Sequence, residues 1–106
     1  MTTRVVIEPG ICHLTCSVTA ELVDDDELEV DVTTGCESIR GMFDELGCTF
    51  DSFEVCLQKP GSGPFFDYAR EHFPVHVSCP AICGIIKAME VEAKLALPED
   101  ASIRFV

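Results

Sequence analysis

From Ile11 to Val23 the even positions Cys12, Leu14, Cys16, Val18, Ala20 and Leu22 are apolar, and Thr15, Ser17, Thr19 and Glu21 between them are polar. Alternation with a period of two marks a strand that buries one face. The acidic run Asp24-Asp25-Asp26 reads as a turn, after which Leu28, Val30 and Val32 alternate with Glu29, Asp31 and Thr33. Together the two stretches predict an antiparallel β-hairpin. Upstream, Thr2 to Glu8 is a shorter β-prone piece that ends at Pro9-Gly10.

Beyond Gly35 the period changes. Ile39, Met42, Phe43 and Leu46 fall at i, i+3, i+4 and i+7, the stripe of an amphipathic helix, and Gly47 supplies its stop. Cys48 to Gln58, with Phe50, Phe53, Val55 and Leu57, fits a short strand, a turn of helix or a packed loop. Lys59 to Gly63 reads as a flexible connection, and Pro64 suits the first turn of a second helix that runs through Phe65, Tyr68, Ala69 and Phe73 and stops before Pro74. The last helix has the clearest pattern: Ser78 or Cys79 as cap, Pro80 in the first turn, and Ile82, Ile85, Ile86, Met89 and Ala93 as its stripe. Pro98 closes that region, and Ser102 to Val106 reads as a final strand. The expected fold is α+β in a single domain spanning residues 1–106. An N-terminal antiparallel hairpin is extended by the C-terminal strand and covered on one face by two or three helices.

Composition narrows the function classes. A chain of 106 residues that is 47% hydrophobic has room for one core and needs no disulfides to fold. No apolar run approaches the roughly 18–20 residues that cross a bilayer, and the N-terminus lacks a basic flank followed by an apolar stretch. The expected location is therefore the cytoplasm. Seven Lys and Arg against 19 Asp and Glu give a formal charge of −12, which phosphate backbones and anionic membranes repel. Neither nucleic acid nor membrane is an expected partner. Seven cysteines are many for this length, and in a reducing compartment such enrichment means metal ligands, redox chemistry or small buried hydrophobes.

Hairpin parity says where the cysteines go. Both apolar faces use even positions, so facing residues must share parity, and a turn centred on Asp25 sets Leu14 opposite Cys36. Cys12 and Cys36 then share the open end of the hairpin. Cys36 also starts the first helix and Cys79 the last, where free N–H groups and a partial positive charge favour thiolate over thiol. Both a metal ligand and a nucleophile need that thiolate. His76, three residues before Cys79 in a segment bounded by Pro74 and Pro80, completes a Cys₃His set. Cys83, one helical turn beyond Cys79, is the alternative fourth donor. Cys16 is assigned to the core, because four strand residues separate it from Cys12 by roughly 13 Å. His13 lies on the polar face beside Cys12, and His72 at a helix end reads as structural. Lys87, Glu90, Glu92 and Lys94 are most simply a solvated face with i,i+3 and i,i+4 pairs. The Asp24–Glu27 run lacks the spaced ligands of a calcium loop and reads as a solvated turn.

The segments Pro9-Gly10-Ile11-Cys12, Gly35-Cys36, His76-Val77-Ser78-Cys79-Pro80 and the helix from Ile85 to Pro98 together resemble a small family of functionally uncharacterised, Cys-rich proteins of about this length from anaerobic bacteria and archaea. The resemblance implies a pattern with cysteine at Cys12, Cys36 and Cys79, histidine at His76 and the Lys87/Glu90 pair, and no known activity. His13 stands where that pattern implies glycine, so this chain has either gained a ligand or lost a tight turn. Three functional expectations follow. The first is a metal-binding protein using Cys12, Cys36, His76, Cys79 and Cys83, with zinc or an iron–sulfur cluster as cofactor. The second is a thiol enzyme or redox protein with Cys79 as nucleophile, Cys36 or Cys12 as resolving thiol and His76 as base. The third is a non-catalytic acidic interaction protein whose cysteines are buried filler.

Overall fold

A computed structural model of the chain describes residues 2–106. Its single sheet is an antiparallel meander in the order β1-β2-β3-β4, built from β1 (Thr2–Ile7), β2 (Cys16–Leu22), β3 (Glu27–Thr34) and β4 (Thr49–Asp51). Helices α1 (Glu37–Leu46), α2 (Ser52–Cys56), α3 (Pro64–His72) and α4 (Ala81–Glu92) make up the rest, so the fold class is α+β as expected.

The hairpin has the register its parity requires. Cys16 faces Thr34, Val18 faces Val32, Ala20 faces Val30 and Leu22 faces Leu28. Cys16, Val18, Ala20, Leu28 and Val30 are buried on one face, and Ser17, Glu21, Glu29, Asp31 and Thr33 meet solvent on the other. The short piece at the N-terminus is a full partner: Ile7 faces Cys16 and Val5 faces Val18, which puts both side chains on the same inner face. The hairpin is shorter than its alternation suggests. β2 begins at Cys16 and β3 ends at Thr34, so no strand pair joins Leu14 to Cys36.

The fourth strand comes from the middle of the chain rather than its end. β4 places Phe50 opposite Leu28, and Phe50 packs among Phe43 and Phe65 at centroid distances of 6.0 and 4.9 Å. That aromatic cluster gives the ambiguous stretch a buried anchor, which the C-terminal residues lack. Ser102 to Val106 is not a strand, and Ile103, Phe105 and Val106 lie exposed. After β4 the chain enters α2, whose first turn is capped by Asp51: its Oδ1 accepts from the Phe53 and Glu54 N–H groups at 2.9 and 3.2 Å. The first helix ends where expected, at Gly47, whose φ of +83° suits glycine and whose N–H reaches the Phe43 carbonyl at 2.9 Å. The fourth helix starts one residue later than expected, with Pro80 as its cap.

Helices cover one face of the sheet. α4 lies on β1 and β2, α1 packs on β3, and α3 packs against α1. Two contacts fix α4. A Cβ at Gly84 would overlap the Ile7 side chain, so the helix touches β1 with bare backbone there. Eight residues on, Glu92 is 2% exposed; one carboxylate oxygen accepts from Thr3 Oγ1 at 2.8 Å and the other from the Leu22 N–H at 2.9 Å. Glu92 is therefore not part of a solvated face, because the only way to satisfy two donors at the sheet end is to bury an acceptor of both. Nor does Glu90 pair with Lys94: the helix ends at Glu92, Lys94 has φ of +64°, and the single ion pair among the described residues is Asp67–Arg70 at 3.2 Å.

Two stability tests follow. Glu92→Ala removes the acceptor of both the Leu22 N–H and the Thr3 hydroxyl and should lower Tm by roughly 10 °C in thermal unfolding, with Glu92→Gln, which keeps an acceptor, losing less than half as much. Gly84→Ala, which in a solvated helix would gain about 1 kcal/mol, should instead destabilise by about 1 kcal/mol or more through overpacking on Ile7. Denaturant melts of Gly84→Ala alone and with Ile7→Ala measure that coupling.

Candidate functional site

The seating of α4 determines what meets at the far end of the sheet. Gly84 lies at Ile7 and Glu92 at Thr3, so the helix runs antiparallel to β1, and its rise of about 12 Å over eight residues matches about 13 Å for four strand residues. The residues before Gly84 therefore run toward the Ile7–Cys16 edge. That edge is also where β1 leaves through residues 8–15, where β2 begins, and where β3 leaves through Gly35 into α1. Cys12, Cys16, Cys36, Cys79 and Cys83 are thus all carried to one end of the fold by four different elements or loops.

A hydrogen-bonded knot holds the centre. Cys16 Sγ is 3.3 Å from Thr34 Oγ1, and the same hydroxyl oxygen accepts the Cys36 N–H at 3.1 Å. The Leu14 carbonyl oxygen lies 3.5 Å from the Thr34 hydroxyl and 3.8 Å from Cys16 Sγ. Burial pushes the Cys16 thiol above its ordinary range, the Thr34 hydroxyl pulls it back, and Cys36, Cys79 and Cys12, in that order, add to the push. Cys12, Cys36 and Cys79, which the sequence singles out, thus lie on the same side of the fold as Cys16.

Cys12 stays on this side because its segment is no strand. Gly10 and His13 have φ of +107° and +57°, and the His13 N–H closes a turn on the Gly10 carbonyl at 2.9 Å. A turn brings Cys12 back toward Cys16, where an extended strand would have carried it away. The sequence reading put Cys16 in the core. It is buried there, at 1% exposed, within the core cluster. The signal for the turn was Pro9-Gly10 followed by a residue in the glycine-like position 13; the continuing alternation of Cys12 and Leu14 hid it. His13 keeps the tight turn, in a backbone conformation that glycine adopts without strain.

The other candidates are more peripheral. Cys36 is half-buried and caps α1, and its side chain makes no capping hydrogen bond. Cys79 is half-buried against the core, one residue before the cap of α4. Cys83 and His76 are exposed, and no hydrogen bond joins His76 to Cys79 among the described residues. His72 stacks on Tyr68 at 4.1 Å with a ring nitrogen 3.1 Å from the Tyr68 carbonyl oxygen, a local structural role. Cys48 is exposed near β4, and Cys56 lies half-buried on α2, where burial and the nearby Glu90 push its thiol up to about 11. All seven cysteines are free thiols. Among the described residues no three His, Cys, Asp or Glu side chains are already closed around a common point where a metal ion would sit.

The two loops that carry Cys12 and Cys79 are apolar and open. Ile11, Val75 and Val77 are 94%, 107% and 104% exposed. The opposite end of the sheet is acidic, with Asp24, Asp25, Asp26, Glu27 and Asp51 lining an open cleft. No helix is long and apolar enough to cross a membrane.

No curated protein and no solved structure matches the chain. A family model matches residues 3–105, nearly end to end, and so takes in every cysteine of the cluster. The chain belongs to that family, the family of unknown function DUF6951.

Proposed function

We propose that the cysteine end of the fold binds a thiophilic metal, as a zinc ion or an iron–sulfur cluster. One observation carries the reading: Cys12, Cys16, Cys36 and Cys79 come from separate segments that meet at a single edge of the sheet, where β1 leaves, β2 begins, β3 leaves and α4 starts. Soft thiolates are the donors that select zinc and iron–sulfur clusters, and two of these four stand at or beside helix starts, where N–H groups are unpaired. His76 and Cys83, both exposed, are the further candidate donors that the sequence offers. The residues fit such a group by their chemistry; the metal would bring Lewis acidity or one-electron transfer, and the protein supplies thiolates and a dry floor. A reducing cytoplasm is the compartment that suits seven free thiols. A charge of −12 argues against nucleic acid as a partner.

Protein purified anaerobically without a metal-affinity tag should carry close to one equivalent of zinc, or iron with sulfide and a brown absorption. Cys36→Ser should release it and lower Tm by roughly 10 °C. Unchanged metal content and Tm in Cys36→Ser would falsify the reading.

A thiol enzyme or redox protein is the second reading. Its support is that Cys36 caps a ten-residue helix with its sulfur free of any capping bond. Against Cys79 as nucleophile stands the missing hydrogen bond to His76. In reduced, metal-free protein, iodoacetamide should label Cys36 and Cys12 before Cys56 at neutral pH. Labelling of Cys56 should rise about tenfold per pH unit and level off only near its raised value of about 11, since only the thiolate reacts. Uniform slow labelling of every cysteine, followed by mass spectrometry across pH, would leave the thiol reading without support.

A further inference from the structure

We propose that two copies of the chain pair edge to edge through β1, antiparallel about a two-fold axis at Val6, so that their two sheets become one. The pairing does not depend on the metal reading above. β1 ends the strand order and has no neighbour on its outer side. The direction of its free backbone groups follows from the hairpin. Val23 donates its N–H to the Glu27 carbonyl at 2.9 Å, and in an antiparallel ladder residue pairs that exchange hydrogen bonds alternate with pairs that do not. The odd positions of β2 therefore bond β3, and Cys16, Val18, Ala20 and Leu22 turn their N–H and C=O groups toward β1. The Leu22 N–H agrees, since it finds Glu92, which also holds Thr3 of β1. Thr3, Val5 and Ile7 are then the bonded positions of β1. The N–H and C=O groups of Arg4 and Val6 face outward, and no other segment bonds them among the described residues.

Free edges are ordinarily blocked by short length, proline or an inward-pointing charge. β4, the other edge of the sheet, is three residues long and ends at Asp51. β1 is six residues long, and its inward positions Thr3, Val5 and Ile7 carry no charge. Pro9 beyond it shares their parity, so its missing N–H does not fall on the open side. Val6 is 66% exposed on the outer face.

The order of charges makes a second copy fit. Arg4 is the one basic residue in the four strands of a chain of charge −12, and it has no ion pair among the described residues. Keeping both inner faces on one side puts the two-fold axis at a residue rather than between two. An axis at Arg4 sets two cations opposite one another, and an axis at Val5 or Ile7 sets Val6 against a charge. An axis at Val6 sets each Arg4 against the partner's Glu8, Val6 against the partner's Val6, and Val5 against the partner's Ile7 on the inner face. Opposite charges and β-branched pairs facing across strands stabilise, and like charges destabilise. Glu8 is exposed, and Pro9 restricts it to the extended backbone this pairing needs. The helices allow it too. α4 lies over β1 and β2, so joining two β1 strands about 4.8 Å apart sets the α4 axes about 10 Å apart, a distance at which helices pack.

The test is sedimentation equilibrium of the reduced full chain with a chelator present, from micromolar to millimolar, with backbone amide hydrogen exchange and far-UV circular dichroism. Wild-type protein should reach twice the monomer mass, and the Arg4, Val6 and Glu8 amides should exchange more slowly as concentration rises. Val6→Lys sets two cations opposite at the axis and should stay monomeric with an unchanged spectrum. Arg4→Glu should weaken the dimer by about tenfold or more, and Arg4→Glu combined with Glu8→Arg should recover most of that loss. A chain that stays monomeric at every concentration overturns the proposal. So does a dimer that persists in Val6→Lys, or one in which the Val6 amide still exchanges fast. Loss of the dimer on truncation after Ala101, with Arg4→Glu associating as wild type, assigns the edge to the exposed residues 102–106 and overturns it too. Should Val6→Lys not fold, the charge pair decides: Arg4→Glu at wild-type affinity, or no recovery in the swapped variant, refutes the pairing.

Discussion

The seating of α4 along β1 and β2 is the constraint on which the rest of the molecule depends. A helix can slide on a sheet unless something fixes both its distance and its position along the strands. Gly84 sets the distance by letting backbone touch the Ile7 side chain. Glu92 sets the position by holding Thr3 and Leu22 with the two oxygens of one carboxylate. The helical rise between these contacts equals the strand rise between their partners, so neither contact strains the other. With both ends fixed, the N-terminus of α4 can only lie toward the edge where Cys16 begins β2.

The molecule is therefore polar from end to end. One edge gathers thiols, under two open apolar loops; the other gathers five carboxylates from the hairpin turn and the start of α2. The acidic end is open to solvent. The thiol end combines a buried, hydrogen-bonded floor with loops that have little packing of their own.

Much of this was legible in the residues. The parity of Val18, Ala20, Leu28 and Val30 permits only registers that bury one face, and the observed pairing of Cys16 with Thr34 is the one centred on Asp25. The stripes of α1 and α4 and the breaks at Gly47 and Pro74 are local, because helix periodicity and backbone restrictions act over a few residues. That Cys36 and Cys79 stand at or beside helix starts could be inferred from the same breaks. Ser102 to Val106, by contrast, alternates like a strand but has no partner, and alternation reports only the capacity to pair.

The sequence by itself determined the hairpin, the helices α1, α3 and α4 and the acidic character, since each depends on local periodicity, backbone preference or simple counting. Tertiary structure alone decided three things. It made Glu92 a buried clamp, because only the packed α4 brings the Thr3 hydroxyl and Leu22 N–H within its reach. It chose Phe50 over the C-terminal residues as the fourth strand, because Phe43 and Phe65 are already there to bury it. And it broke the straight strand that the alternation of Cys12 and Leu14 implies. The separation of Cys12 and Cys16 was read along a straight strand, and the turn at Gly10 to His13, closed by a single backbone hydrogen bond, folds that length back on itself.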